Sequence, residues 1–113
     1  MTNKKFAVLG TGWWSTFQIP GWLEIGGVEL VALYNRTKSK AEKIAKQYNV
    51  PHVYDYAEKL FQEQKLDFVD IIVGNDVHKE MVDLAAKYKV PVICQKPMAS
   101  DWESCVHMVD VCK

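Results

Sequence analysis

Net charge is the first thing this 113-residue chain lacks, since 14 Lys and Arg balance 14 Asp and Glu. Without a positive excess there is no general electrostatic basis for binding nucleic acid. Long hydrophobic runs are missing too. None approaches the ~18 residues of a membrane span, and Phe6–Leu9, behind Lys4 and Lys5, is too short for a signal-peptide core. Cysteine is scarce: Cys94, Cys105 and Cys112 are odd in number and lack the paired close spacing of a zinc site. Neither a metal nor a disulfide is expected, and a reducing, cytoplasmic setting suits this usage. Repeats, linkers and low-complexity tracts are absent. With 49% hydrophobic and 12% aromatic residues, disorder is excluded as well. What is there reads as one globular domain over residues 1–113.

The zero conceals a split. Residues 1–50 carry 7 basic and 3 acidic side chains, residues 51–113 carry 7 basic and 11 acidic. The basic excess gathers in Arg36, Lys38, Lys40, Lys43 and Lys46. Such a run is either a solvated helix face or a small anion site.

Hydrophobic periodicity alternates along the chain. Apolar runs at Phe6–Leu9, Val28–Tyr34, Phe68–Val73 and Pro91–Cys94, with a shorter one at His52–Tyr54, suit strands covered on both faces. Between them the spacing turns helical, with stripes at Ala41, Ile44, Ala45 and Tyr48 and at Val77, Met81, Leu84, Ala85 and Tyr88. Ser39 with Glu42, Asp55 with Glu58 and Ser100 with Glu103 have the form of capping boxes. Asn49-Val50-Pro51 and Lys89-Val90-Pro91 are expected to close helices. Trp102, Cys105, Val106 and Val109 are expected to be the buried side of the last helix, with Cys105 and Cys112 packing as small hydrophobes. The stretch Trp13–Glu24 is ambiguous, because Pro20 would kink or end a helix there. The fold class is α/β: a Rossmann-type, doubly wound parallel sheet of about five strands with helices on both faces.

Four stretches carry candidate chemistry. Gly10-Thr11-Gly12-Trp13-Trp14-Ser15 follows the first strand and opens the first helical region, the context of a dinucleotide fingerprint. There Gly10 permits the tight turn, Gly12 admits a pyrophosphate, and the helix amides meet its charge. At the end of strand two, where an NAD site places a carboxylate for the ribose hydroxyls, stands Asn35-Arg36-Thr37. Asn35 brings no negative charge, Arg36 can pair with a 2′-phosphate, and Lys38 or Lys40 can add a second cation. NADP is therefore expected over NAD, although Arg36 also fits an ordinary loop residue. The third stretch, Val73-Gly74-Asn75-Asp76-Val77-His78, ends strand four. Asn75 can contact a ribose or cap the next helix, and His78 in the first turn is more readily structural than catalytic. Nothing around His52 or His107 suggests more than a structural role. In the fourth, Cys94-Gln95-Lys96-Pro97, Lys96 at a strand's carboxyl end can stabilise developing oxyanion charge, while Pro97 fixes the turn.

Together the glycine turn, Val31-Ala32-Leu33 leading to Asn35-Arg36, Asn75-x-x-His78 and Gln95-Lys96-Pro97 resemble the N-terminal domain of the Gfo/Idh/MocA oxidoreductases, across essentially the whole chain. Gln95 stands where that family usually has Glu, and Val73-Gly74 where it has Thr-Pro. The resemblance implies an NAD(P)-binding domain of an enzyme that moves hydride between nicotinamide and a sugar, polyol or related substrate. It implies that Lys96 is the catalytic-site lysine, that Gln95 lies near the nicotinamide ribose, and that Gly74 and Asn75 line the cofactor, with His78 as a further lining residue. Family members continue into a second domain that supplies substrate contacts, the acid/base partner and the oligomer interface. The 113 residues are therefore expected to be the cofactor half of a parent enzyme, inactive alone, with any homo-oligomer formed through the other half. A non-catalytic NAD(P)(H) sensor is the alternative.

Overall fold

The structure is a computed structural model and describes residues 3–12, 14–74, 77–95, 99 and 101–113. Strands and helices alternate: β1 Lys4–Leu9, α1 Ser15–Ile25, β2 Val28–Tyr34, α2 Lys38–Tyr48, β3 His52–Tyr54, α3 Ala57–Glu63, β4 Phe68–Ile71, α4 His78–Lys87, β5 Val92–Cys94 and α5 Trp102–Val111. The strands pair in parallel in the order β3-β2-β1-β4-β5. Chain direction across the sheet therefore reverses between β1 and β4, the switch point where open α/β sheets bind ligands.

Side-chain alternation on β1 divides the core into two layers. Phe6 and Val8 pack with Ile19, Leu30, Leu33, Ala41 and Ala45 on the face covered by α1 and α2. Ala7 and Leu9 pack with Leu60, Phe61, Val69, Ile71, Met81 and Val82 on the face covered by α3 and α4. A register shift between Phe6 and Ala7 leaves Val31 as an extra residue in β2, and Val31 and Ala32 both join this second layer. Both sheet faces are thus covered, as near-continuous apolar strands require.

Helix α1 runs straight through Pro20 and resolves the ambiguous stretch. Proline in a helix interior costs about 3 kcal/mol in isolation. Packing offsets that cost: Ile19 is fully buried, and Trp22 nests against Phe6 and Phe68 at ring distances of 5.7 and 5.1 Å. Helices α2 and α4 end as expected, on left-handed Asn49 (φ 56°) and Lys89 (φ 57°). In each case the next valine closes a six-to-one bond, Val50 N to Ala45 O and Val90 N to Ala85 O.

Several local expectations need correction. Strand β4 stops at Ile71 rather than Val73, because the Ile72 amide donates to Leu9 O and the chain then turns over the end of β1. Strand β5 starts at Val92, because Pro91 has no amide and offers only its carbonyl, to Val69 N. Ser39 lies inside α2, whose N-cap is Thr37, held through its carbonyl by the Asn35 side chain at 2.9 Å. Asp55 does not cap α3. The cap position is Tyr56, and Glu58 instead accepts from Lys87 and Tyr88 at the end of α4, which holds its carboxyl below the usual range. Ser100 lies outside the described residues; Asp101 caps α5 by accepting from Ser104 N at 2.7 Å.

The last helix turns a different side inward from the one expected. Met108 is its buried residue, while Trp102 is 80% exposed and Val106 and Val109 are exposed as well. Cys105 is half-buried and Cys112 exposed. Spacing defines an apolar stripe, but only a neighbour can bury it, and β5 is an edge strand with no further strand beside it among the described residues. His107 anchors the helix to α4 through Asp83, 2.7 Å away.

Hydrogen bonds from the Ser104 amide and hydroxyl hold the Asp101 carboxyl below its ordinary pKa. A carboxyl depressed on folding stabilises the fold above its unfolded pKa, and that stability fades as pH falls through the folded value. Asp101→Ala is expected to lower the thermal midpoint by a few degrees at pH 7. Melts repeated toward pH 2–3 should show that difference from the parent chain shrinking as the cap is protonated.

Candidate dinucleotide site

The carboxyl ends of β1, β2 and β4 are stitched together by the turn that follows β1. Gly10 N donates to Tyr34 O (2.7 Å), Thr11 N to Asn35 Oδ1 (3.2 Å), and Ile72 N to Leu9 O (2.9 Å). Gly10 has φ +111°, a region L side chains rarely adopt, and a Cβ there would lie 2.8 Å from Val73 N and 2.9 Å from Ile72 C. Two independent constraints therefore demand glycine at this position. Gly12 differs, since a Cβ built on it meets nothing within 4 Å. Among the described residues no contact requires its small size, and Gly12 lines the cavity described next. Ser15 closes the loop into α1, its hydroxyl donating to Gly12 O at 2.6 Å while its side chain is buried.

Beyond this turn lies a cavity of about 450 Å³. Its floor is Gly10 and Gly12, one wall is Tyr34–Thr37 with Lys40, and the facing wall is Ile72–Gly74 with Val77, Glu80 and Met81. Of the residues expected from sequence, Gly10, Gly12, Asn35, Arg36, Lys40 and Gly74 come together here. Lys38, the other candidate cation, does not line the cavity. Burial keeps the Tyr34 phenol above its ordinary pKa, with Arg36 pulling it down and Glu80 and Asp55 pushing it up.

Other expected residues take different places. Asn35 does not present a free amide to the cavity: Oδ1 accepts from Thr11 N and Nδ2 donates to Thr37 O, so it braces both loops. Thr11 is buried beside the turn, and its Oγ1 has no hydrogen-bond partner. Trp14 is half-exposed at the N-cap of α1, with its ring 5.6 Å from Phe17. His78 is buried and hydrogen-bonds Val73 O through Nε2 at 2.8 Å, fixing the loop ahead of α4. Trp13, Asn75, Lys96 and Pro97 lie outside the described residues.

Gln95 is held by a group the sequence reading passed over. Asp70 is fully buried in β4 and accepts from Trp22 Nε1 (2.7 Å) and Gln95 Nε2 (3.1 Å). It ties α1, β4 and the end of β5 into one unit directly beneath the switch point. Burial, and secondarily the charge of Asp70, push the neighbouring Cys94 thiol up to about 11. The other omissions are on the cavity walls. In sequence Tyr34 reads as the end of a strand, and Val77 and Met81 as part of a helix's core stripe. Met81 does join the core layer, Val77 stands at the N-cap of α4, and the cavity opens beside both. Glu80 gave no sequence signal, being an ordinary acid in a helix's first turn.

The features of the turn fit a dinucleotide. An unobstructed glycine and two cations meet at one cavity, and the turn that supplies the glycine also holds the buried Thr11 hydroxyl and leads into an 11-residue helix. Phosphate groups suit helix starts and open glycine backbone. The fold and site together define a Rossmann-type dinucleotide-binding domain.

Comparison with known proteins gives the particular family. The profile of the oxidoreductase family with an NAD-binding Rossmann fold, Gfo/Idh/MocA, matches residues 4–113, and the chain belongs to that family. It is 33% identical to D-apiose dehydrogenase of Rhizobium rhizogenes over 100% of this chain and 33% of the relative. It is 32% identical to the NADP(+)-dependent D-xylose 1-dehydrogenase of Haloarcula marismortui, over 96% of this chain and 31% of the relative. An Agrobacterium radiobacter oxidoreductase, solved with NAD+, L-tartaric acid and magnesium, superposes with a TM-score of 0.94 at 32% identity, over 98% of this chain and 32% of that one. The chain thus spans about one third of the length of these relatives.

The Asp70–Gln95 hydrogen bond uses the amide nitrogen of Gln95, a donor that glutamate lacks. Gln95→Glu would set two carboxylates together in a buried site and remove a donor, and we expect it to lower stability by about 1–3 kcal/mol at pH 7. Like charge raises a carboxyl's folded pKa, so the lost stability should return as pH is lowered. Denaturant titrations at several pH values check this, and Asp70→Asn in the Gln95→Glu background should restore most of the loss.

Proposed function

We propose that the chain is the cofactor-binding half of an NAD(P)-dependent dehydrogenase acting on a sugar, polyol or similar small hydroxyl or carbonyl compound. The observation that carries this reading is the cavity at the switch point, where the open face of Gly12 meets Arg36 and Lys40. The sugar dehydrogenases among the relatives support the substrate class. In this reading Gly10, Thr11 and Gly12 hold the pyrophosphate and Arg36 with Lys40 holds a 2′-phosphate, so NADP is preferred to NAD. Asn35 and His78 position the two loops rather than touch the dinucleotide. The nicotinamide, when bound, supplies hydride acceptance and donation. Lys96, from the end of β5, polarises the substrate oxygen and stabilises charge that develops on it. Asp70 and Gln95 hold the end of β5 from which Lys96 follows.

Residues outside this third of the protein supply the substrate contacts and the proton acceptor. The exposed Trp102, Val106 and Val109 support that division, because an apolar helix face of this kind suits contact with a further part of the protein. A non-catalytic sensor would share the glycine turn but would have no use for Lys96.

Titration of tryptophan fluorescence with NADPH and NADH tests the reading, since Trp14 stands at the phosphate turn. The parent chain is expected to bind NADPH more tightly. Arg36→Ala should weaken NADPH by about tenfold or more, the size of a lost charge-assisted bond, and change NADH only a few-fold. Tighter NADH binding by the parent chain would overturn the assignment of Arg36.

A further inference from the structure

The cavity is not uniformly positive. Arg36 and Lys40 lie on the wall that follows β2, and Glu80, in the first turn of α4, lies on the wall that faces them. Among the described residues no ion pair joins Glu80 to either cation; the pairs present are Lys59–Glu63, Lys87–Glu58, His107–Asp83 and Lys113–Asp110. Its charge is therefore not cancelled by direct contact. That a carboxylate and a guanidinium act on the same space is visible at Tyr34. After burial, the opposing influences of Arg36 and Glu80 lead the charges that act on its phenol.

A second observation gives this carboxylate a use. Dinucleotide sites of this fold place an acid at the end of β2 to accept from the ribose hydroxyls. Here that place is taken by Asn35, whose amide is spent on Thr11 N and Thr37 O. Asn35 therefore brings no negative charge to the β2 end, and its amide is already engaged. Among the described residues Glu80 is the carboxylate that lines the cavity, and it arrives from the opposite side.

We infer that Glu80 is a specificity-determining residue, a carboxylate on the α4 wall that accepts from the adenosine ribose hydroxyls of NAD(H) and opposes the 2′-phosphate of NADP(H). The inference rests on the dinucleotide reading above and deepens it. Arg36 and Lys40 pull the site toward the phosphorylated cofactor, and Glu80 limits that pull. The outcome is a site that accepts both cofactors with a moderate preference, rather than one committed to either.

Glu80 is exposed, so replacing it leaves the core intact. In Glu80→Gln the charge is removed at constant shape, and in Glu80→Asp it is kept on a shorter stem. Fluorescence titration of the 113-residue chain with NADPH and NADH, at low and at physiological ionic strength, gives the ratio of the two affinities. In Glu80→Gln, NADPH binding is expected to strengthen about five- to tenfold and NADH binding to weaken a few-fold, the change in ratio shrinking as salt is added. Glu80→Asp is expected to stay within about threefold of the parent ratio, which a helix-stabilising role alone would not require. An unchanged ratio in Glu80→Gln, with both cofactors still bound, would overturn the inference and leave the dinucleotide reading standing. Failure of the parent chain to bind either cofactor would overturn both.

Discussion

The site depends on how closely β1 and β4 approach at their carboxyl ends. Gly10 makes that approach possible, since a side chain there would run into the Val73 amide at 2.8 Å and would have to tolerate φ +111°. With no Cβ in the way, the strand that ends at Leu9 receives the Ile72 amide, and the Gly10 amide reaches across to Tyr34 O. The ends of three strands are thereby fixed relative to one another. The cavity walls diverge from this point, one after β2 and one after β4. Gly12 differs, since a Cβ there meets no described atom within 4 Å.

A second tier of contacts holds the two walls. Asn35 joins the glycine turn to the start of α2, and His78 joins the start of α4 back to Val73. Beneath the sheet's other face, Asp70 gathers Trp22 and Gln95. Each is a polar side chain whose hydrogen bonds are committed to the protein. The charged side chains that line the cavity are Arg36, Lys40 and Glu80 among the described residues. Fold, wall position and charge are in this way handled by different residues.

The strand and helix order could be read from the chain because parallel strands buried on both faces are uninterrupted and helices between them are not. The glycine turn could be read because Gly10 and Gly12 follow directly on β1. What could not be read has particular causes. Asp70 breaks an apolar strand, and only the arrival of Trp22 from 48 positions away and Gln95 from 25 shows why it is tolerated. The caps at Ser39 and Asp55 fitted a local pattern, but Asn35 moved one helix start and Lys87 with Tyr88 drew Glu58 elsewhere. Trp102, Val106 and Val109 of α5 are exposed rather than buried, because an apolar stripe carries no information on whether anything covers it. Glu80 became a site residue solely through the placing of α4 opposite α2.

The central claim is that a dinucleotide lies across the switch point with its phosphates at the turn after β1. Amide chemical-shift mapping of the 113-residue chain with NADPH tests it most directly. The account predicts a contiguous set of shifts at Gly10, Thr11, Gly12, Arg36 and Gly74, with α3 and α5 unmoved. Shifts confined to the exposed face of α5, or none at the glycine turn, would contradict it.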